Sequence, residues 1–318
     1  MSSKSNPTQQ QLDIMAAFKT TRVLKVNAVA GSGKTSTLEL LAADNPKPSL
    51  LLAFNKSIAD EAARRFPKHV SCRTMNSVAY EGFGRRLQHK LNVNKNPKVN
   101  TMRSLRNLVD WFQLPDYKDA EPPISARTIA AMSRDVVDRF CHSDRLSISE
   151  QDLHYKDFKE LKKNHEFDES TLSRIVLNLA KLLWKERINP ISQACCTHDT
   201  YVKLWSLSNP VLNYDILYVD ESQDINPCVL TVLEKQCCKI LYVGDEHQSI
   251  YAFRGATNAM KRIVCPTMQL SQSWRYGEVI ADVAQFILSK YDVQVRGNSA
   301  IASSLTDVKN LDAYTMIF

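Results

Sequence analysis

The stretch AVAGSGKT at residues 28–35 stands between a short apolar run, Arg22 to Val26 (RVLKV), and a helical pattern that continues through Leu41. It fits GxxxxGK[ST] except for Ala28 at the first position. A strand that feeds such a loop into a helix presents successive backbone N–H groups and a positive helix end on one side, which makes an anion cradle. In that pattern the lysine, Lys34, neutralises β- and γ-phosphates and the hydroxyl of Thr35 ligates Mg²⁺. The candidate phosphate loop is Ala28, Val29, Ala30, Gly31, Ser32, Gly33, Lys34, Thr35 and Ser36. The whole chain has only eight glycines in 318 residues, so two of them in this loop point to backbone conformations that need glycine.

Outward from the loop, short β-rich runs alternate with helical patterns. Ser49 to Phe54, Ile216 to Val219 and Lys239 to Val243 read as further strands, buried on both faces of a parallel sheet. Ser57 to Arg65 and Pro227 to Gln236 read as helices. This alternation predicts an α/β domain with helices on both faces of the sheet. From Arg85 to Ser206 the pattern is mostly helical, as in Thr128 to Phe140 and Leu172 to Trp184, with breaks at Pro115, Pro122 and Pro123. That middle part reads as a helical subdomain inserted into the sheet's chain. A last helix is expected from Glu278 to Tyr291, and the apolar Ala313 to Phe318 closes the sequence.

Two more segments follow predicted strands. ILYVDESQD at 216–224 sets two carboxylates at a strand end. Asp220 is placed to hold a Mg²⁺ shell and Glu221 to polarise an attacking water, a division that phosphoryl transfer needs. VGDEHQSIYAFRGA at 243–256 offers Gln248 as an amide facing a γ-phosphate or the water. Tyr251, Phe253 and Arg254 interleave aromatic and cationic groups as single-strand stacking platforms do, although aromatics at this spacing also suit a core.

Composition bounds the rest. Forty-one basic against 34 acidic residues give a net charge of +7 and a pI near 8.9, compatible with nucleic acid and with many enzymes. Residues 85–109 carry seven Lys or Arg and no Asp or Glu. The longest charge-free run, Ile263 to Trp274, is twelve residues, too short to span a membrane as a helix. The first fifteen residues lack the pattern of a secretory signal, so an intracellular protein is expected, cytoplasmic or, in a eukaryote, nuclear. Eight cysteines without a CxxC read as reduced thiols; CCTH at 195–198 is the nearest approach to a zinc motif and has no second pair.

With these segments in hand, the chain resembles the UvrD/Rep-like superfamily 1 DNA helicases, closest to their F-box DNA helicase branch, although no F-box is evident. The resemblance runs from about Asn6 to Tyr291. NPTQQQLDI at 6–14 is similar to the family's Q motif, whose glutamine reads adenine; Gln11 fits the spacing best and Gln10 is the alternative. FNKSIADEA at 54–62 and RTMNSVAY at 73–80 resemble segments that track single-stranded DNA, which implies roles for Phe54, Asn55, Lys56, Thr74 and Asn76. Asn76 stands where the branch generally has histidine, and Phe253 where tryptophan is commoner. SQSWRYG at 271–277 resembles motif IV, which implies that Trp274 stacks on adenine and Arg275 reaches the γ-phosphate.

The resemblance implies a RecA-like P-loop NTPase domain (1–84 and 207–275), an inserted helical subdomain (85–206) and an incomplete start of a second RecA-like domain (276–318). It implies ATP and Mg²⁺ as cofactors and single-stranded DNA as partner. The activity implied is that of a 3′–5′ DNA helicase in repair, recombination or replication. The family's later motifs V and VI are not present in these 318 residues. A truncated product, one half of a two-chain enzyme with a separately encoded C-terminal half, and a regulatory fragment that binds DNA without unwinding it are all compatible with that.

Overall fold

A computed structural model describes residues 6–91, 104–192, 194–249, 258–291 and 293–305. After helix α1 (Gln9–Thr20) the chain alternates β1 (Val23–Ala28), α2 (Lys34–Asp44), β2 (Ser49–Ala53), α3 (Lys56–Arg65), β3 (Val70–Thr74) and α4 (Met75–Gly82). A 3₁₀ segment, Gly84–Lys90, leads into α5 (Leu105–Phe112), α6 (Ala126–His142), α7 (Tyr155–Leu161), α8 (Glu169–Ile188) and α9 (His198–Leu207). The chain then returns through β4 (Ile216–Val219), α10 (Pro227–Glu234), β5 (Lys239–Gly244), α11 (Ala259–Arg262), β6 (Thr267–Leu270) and α12 (Glu278–Ile287).

The six strands form one sheet in the order β3-β2-β4-β5-β1-β6, and every pairing is parallel. The four inner strands are the four that the apolar runs predict. The two unpredicted strands, β3 and β6, are the sheet's edges, and their side chains are largely half-exposed or exposed. An edge strand need not be apolar on both faces, so VSCRT and TMQL carry no continuous signal.

Helices cover both faces. Ile14 and Phe18 of α1 and Leu38 and Leu41 of α2 pack on Val26, Tyr218 and Leu241 on one side. On the other, α9 and α10 bring Tyr201, Trp205, Leu230 and Leu233 against Leu50, Leu217 and Tyr242. The helices between residues 105 and 188 also have a core of their own, around Ile129, Val136, Phe140, Leu172, Val176 and Leu183. Leu87, Leu91 and Cys196, by contrast, belong to the sheet's core.

In a parallel sheet all carboxyl ends lie on one edge, so the loops after β1, β2, β3, β4 and β5 converge there. Beyond β6, α12 turns its Ala281 face toward Val29 of the phosphate loop, with Val293 and Val295 completing that small cluster. Backbone bonds from Ser273 N to Arg296 O and from Arg296 N to Ser271 O, both 2.8 Å, tie the later segment to the strand end. No helix among the described residues is long and apolar enough to cross a membrane.

Candidate nucleotide site and nucleic-acid interface

Gly31 and Gly33 hold φ of 73° and 84°, the left-handed region that side chains with a Cβ resist. Gly31 is also constrained by space, since a Cβ there would lie 2.6 Å from the Cβ of Arg275. The loop is gripped by the residues after β6. Ser273 Oγ donates to Ala30 O (2.8 Å), and Trp274 N donates to Gly31 O (2.8 Å). Ser32 Oγ is buried in the loop and has no hydrogen-bond partner, an unmet polar group of the kind a phosphate oxygen would satisfy. Lys34 opens α2, and Thr35 and Ser36 follow in its first turn.

Gln11 lies on the same side. It closes a capping box at the start of α1, accepting from Thr8 N while its own N–H bonds to Thr8 Oγ1. Its side-chain amide then donates to Thr37 Oγ1 at 3.0 Å, on the helix that the phosphate loop feeds. Gln10 points elsewhere and exchanges two hydrogen bonds with Ser271. Of the two glutamines, Gln11 is therefore the one beside the loop. Trp274, 52% exposed, has its ring edge next to Gly33, and Arg275 is exposed beside it.

Asp220 is anchored at the end of β4 by its N–H to Leu52 O (3.1 Å). Burial, with the adjacent Glu221 carboxylate, pushes its carboxyl up to about 6. Glu221 takes a left-handed φ of 48° and aims Oε2 at Lys34 Nζ, 2.9 Å away. The sequence singled out Lys34 and Glu221 separately; 187 positions apart, they are in contact. Gln248 is exposed and donates to Asp245 Oδ2 at 2.8 Å. Burial raises the Asp245 carboxyl too, opposed by His247 and Lys34. Sequence reasoning missed Gln223, which is 2% exposed and donates to the same Glu221 Oε2 at 2.9 Å.

Four residues expected to meet DNA, Phe54, Asn55, Thr74 and Asn76, line one cavity of about 280 Å³ at the carboxyl edge of β2 and β3. Its far wall comes from the inserted helices, with His142 at the end of α6 and Asp199 in the first turn of α9, 3.4 Å apart. Asn55 and Thr74 also accept from Ile58 N and Ser77 N, capping α3 and α4. Lys56 is exposed at the start of α3. Tyr251, Phe253 and Arg254 lie outside the described residues. The basic stretch is divided: Arg85 and Arg86 are exposed, whereas Lys90 is 1% exposed and cannot serve as a surface cation. Its ammonium donates to Glu186 O, Arg187 O and Asn189 O, closing the carbonyl end of α8. All eight cysteines are free, and among the described residues no group of three or more His, Cys, Asp or Glu could hold a metal ion.

Comparison with known proteins agrees with this architecture. The chain is 30% identical over 297 residues to F-box DNA helicase protein 1 of Schizosaccharomyces pombe, which covers 90% of this chain and 33% of that protein. It is 31% identical over 292 residues to F-box DNA helicase 1 of Gallus gallus, covering 88% of this chain and 27% of that one. The chain thus spans about a third or less of the length of these relatives. Residues 7–262 match the UvrD/REP helicase N-terminal domain, and the chain belongs to that family of DNA helicases.

Proposed function

We propose that the chain binds ATP with Mg²⁺ on residues 28–36 and couples ATP hydrolysis to contacts with single-stranded DNA. The observation that carries this reading is the meeting of Lys34 and Glu221 beside a loop whose Ser32 hydroxyl is buried and unpaired. The donor set fits a polyphosphate: two left-handed glycines, a helix N-terminus and the partly buried ammonium of Lys34 stand together. Thr35 and Asp220 are the hard oxygen donors suited to Mg²⁺, which when bound neutralises charge on the phosphates.

The protein's own groups divide the work. Lys34 leaves Glu221 for the anion and frees that carboxylate to accept a proton from water. Gln11 and Trp274 flank the loop where an adenine edge and face would be read, and Arg275 and Gln248 stand at its rim. The strand passes the mouth of the Phe54–Asn76 cavity, with Lys56, Arg85 and Arg86 meeting phosphates. Tyr251, Phe253 and Arg254, outside the described residues, are proposed as further strand contacts on the ground of the resemblance and residue type alone. Resemblance supplies the polarity, 3′ to 5′, and an intracellular role in DNA repair, recombination or replication.

The exposed apolar face of α12, with Phe286 at 80% and Ile287 at 67%, favours a second reading of the isolated chain as a nucleotide-gated strand binder. In that reading unwinding needs a further body docked there, in the same or a separate polypeptide. Strand displacement by the 318-residue chain, assayed alone and with a supplied C-terminal helicase half, separates the two. Strand displacement by the chain alone overturns the second reading, and displacement only in the mixture supports it.

A further inference from the structure

The geometry points to Gln223 as a positioning residue that holds the Glu221 carboxylate and locks it to the Gln248-bearing loop after β5. The inference rests on the nucleotide reading above. Gln223 uses both ends of its amide. Its Nε2 donates to Glu221 Oε2 at 2.9 Å, and its Oε1 accepts from Asp245 N at 3.1 Å. Asp245 in turn accepts from Gln248 Nε2 at 2.8 Å, and Lys34 Nζ reaches the same Glu221 oxygen. Lys34, Glu221, Gln223, Asp245 and Gln248 therefore form one continuous chain across the ends of three strands.

Two further observations show that this bridge is built in. Among the described residues Glu221 is one of four non-glycine residues with a positive φ, a conformation that persists only where the surroundings over-determine it. A carboxylate on such a backbone needs its direction fixed from outside, and Gln223 does that from two residues away. Gly244 supplies the space. A Cβ at 244 would overlap Gln223 Oε1 and would crowd the backbone N–H groups of Gln223 and Ser222 at 3.1 Å. The glycine here is thus required by the amide that passes over it, although its φ is ordinary.

A donor–acceptor amide suits this place for a chemical reason. Glu221 presents a carboxylate oxygen to this amide, whereas Asp245 presents its backbone N–H. Only a side chain that donates on one side and accepts on the other satisfies both neighbours. The bridge makes the water-facing carboxylate and the Gln248 loop move as one unit, so a shift at either end reaches the other.

Three variants test this. Gln223→Leu removes both bonds, Gln223→Glu keeps the acceptor for Asp245 N and loses the donor to Glu221, and Gly244→Ala displaces the amide without removing a polar group. In nucleotide-free protein, exchange of the Asp245 amide hydrogen should be roughly tenfold faster in Gln223→Leu and in Gly244→Ala, and unchanged in Gln223→Glu. Turnover at saturating ATP should drop about 10- to 100-fold in all three, with KM for ATP within about twofold of wild type. Adding Gln223→Leu to Glu221→Gln should cost nothing further. Unchanged amide exchange in Gln223→Leu, or wild-type turnover in a folded Gln223→Glu protein, overturns the proposal. If Glu221→Gln itself turns over normally, the nucleotide reading fails instead, and the exchange arm still decides whether the bridge exists.

Discussion

At the scale of single residues, Asp220 carries a charge that its surroundings disfavour, and the proposed metal role requires that charge. Burial and the neighbouring Glu221 raise its carboxyl to about 6 from an unfolded value near 3.8. The folded state therefore holds the proton more tightly, and stability falls as pH rises between those two values. Asp220→Asn should raise the melting temperature of the nucleotide-free protein at pH 7.5, with the gain vanishing below about pH 4. The same variant should lose Mg²⁺-dependent nucleotide binding. Equal melting of mutant and wild type at pH 7.5 would show the charge to be well solvated. Lys34→Ala should abolish measurable ATP binding, because charge-assisted hydrogen bonds are about twice as strong as neutral ones. Glu221→Gln should bind ATP but lose about 10²–10⁴-fold in turnover, since an amide cannot take a proton. Equilibrium nucleotide titration and steady-state hydrolysis check both. The loop at 28–36 and the Asp220–Glu221 pair could be picked out of the sequence because each directly follows an apolar strand. Gln223 was not, because its role exists only once β4 lies beside β5 and Gly244 passes beneath its amide. That Gln11 rather than Gln10 lies beside the loop is visible only once its amide meets Thr37 of α2.

Secondary-structure elements show the same division between local and tertiary information. The four inner strands announced themselves as apolar runs, while β3 and β6 stayed silent because each is paired and covered on one side only. Charge patterning misled at one point: Lys90 belongs by sequence to a basic surface, yet tertiary packing turns it inward to close α8. Its ammonium, held below its ordinary range by burial, meets three carbonyls that have no partner within the helix. Lys90→Met should therefore cost about 2–4 kcal/mol of stability, the penalty of leaving buried acceptors unpaired. It should leave ATP affinity unchanged, because α8 does not touch the phosphate loop. Chemical denaturation together with nucleotide titration reads both effects. A neutral substitution would mean that water replaces the ammonium at that helix end.

For the whole molecule, the arrangement of charge and shape at the carboxyl edge predicts how a strand is held. Two contributions to strand binding respond differently to salt. Lys56, Arg85 and Arg86 are exposed cations, and each phosphate they neutralise releases counterions, so log affinity for single-stranded DNA should fall with log salt by about 0.7 per contact. Phe54, 39% exposed, lines the 280 Å³ cavity, and stacking of a base on an aromatic ring is nearly independent of salt. Phe54→Ala should weaken binding by about 1–3 kcal/mol at every salt concentration and keep the slope. Arg85→Ala combined with Arg86→Ala should lower the slope by roughly 1.4 if both arginines meet phosphates. Because Phe54 is only partly buried, its removal should leave thermal melting nearly unchanged, which distinguishes a DNA contact from a packing role. A Phe54→Ala protein that melts early and binds DNA normally once folded would assign the ring to the core. An unchanged slope in the double arginine variant would move the strand's path away from the 3₁₀ segment and toward the far side of the cavity, where His142 and Asp199 stand.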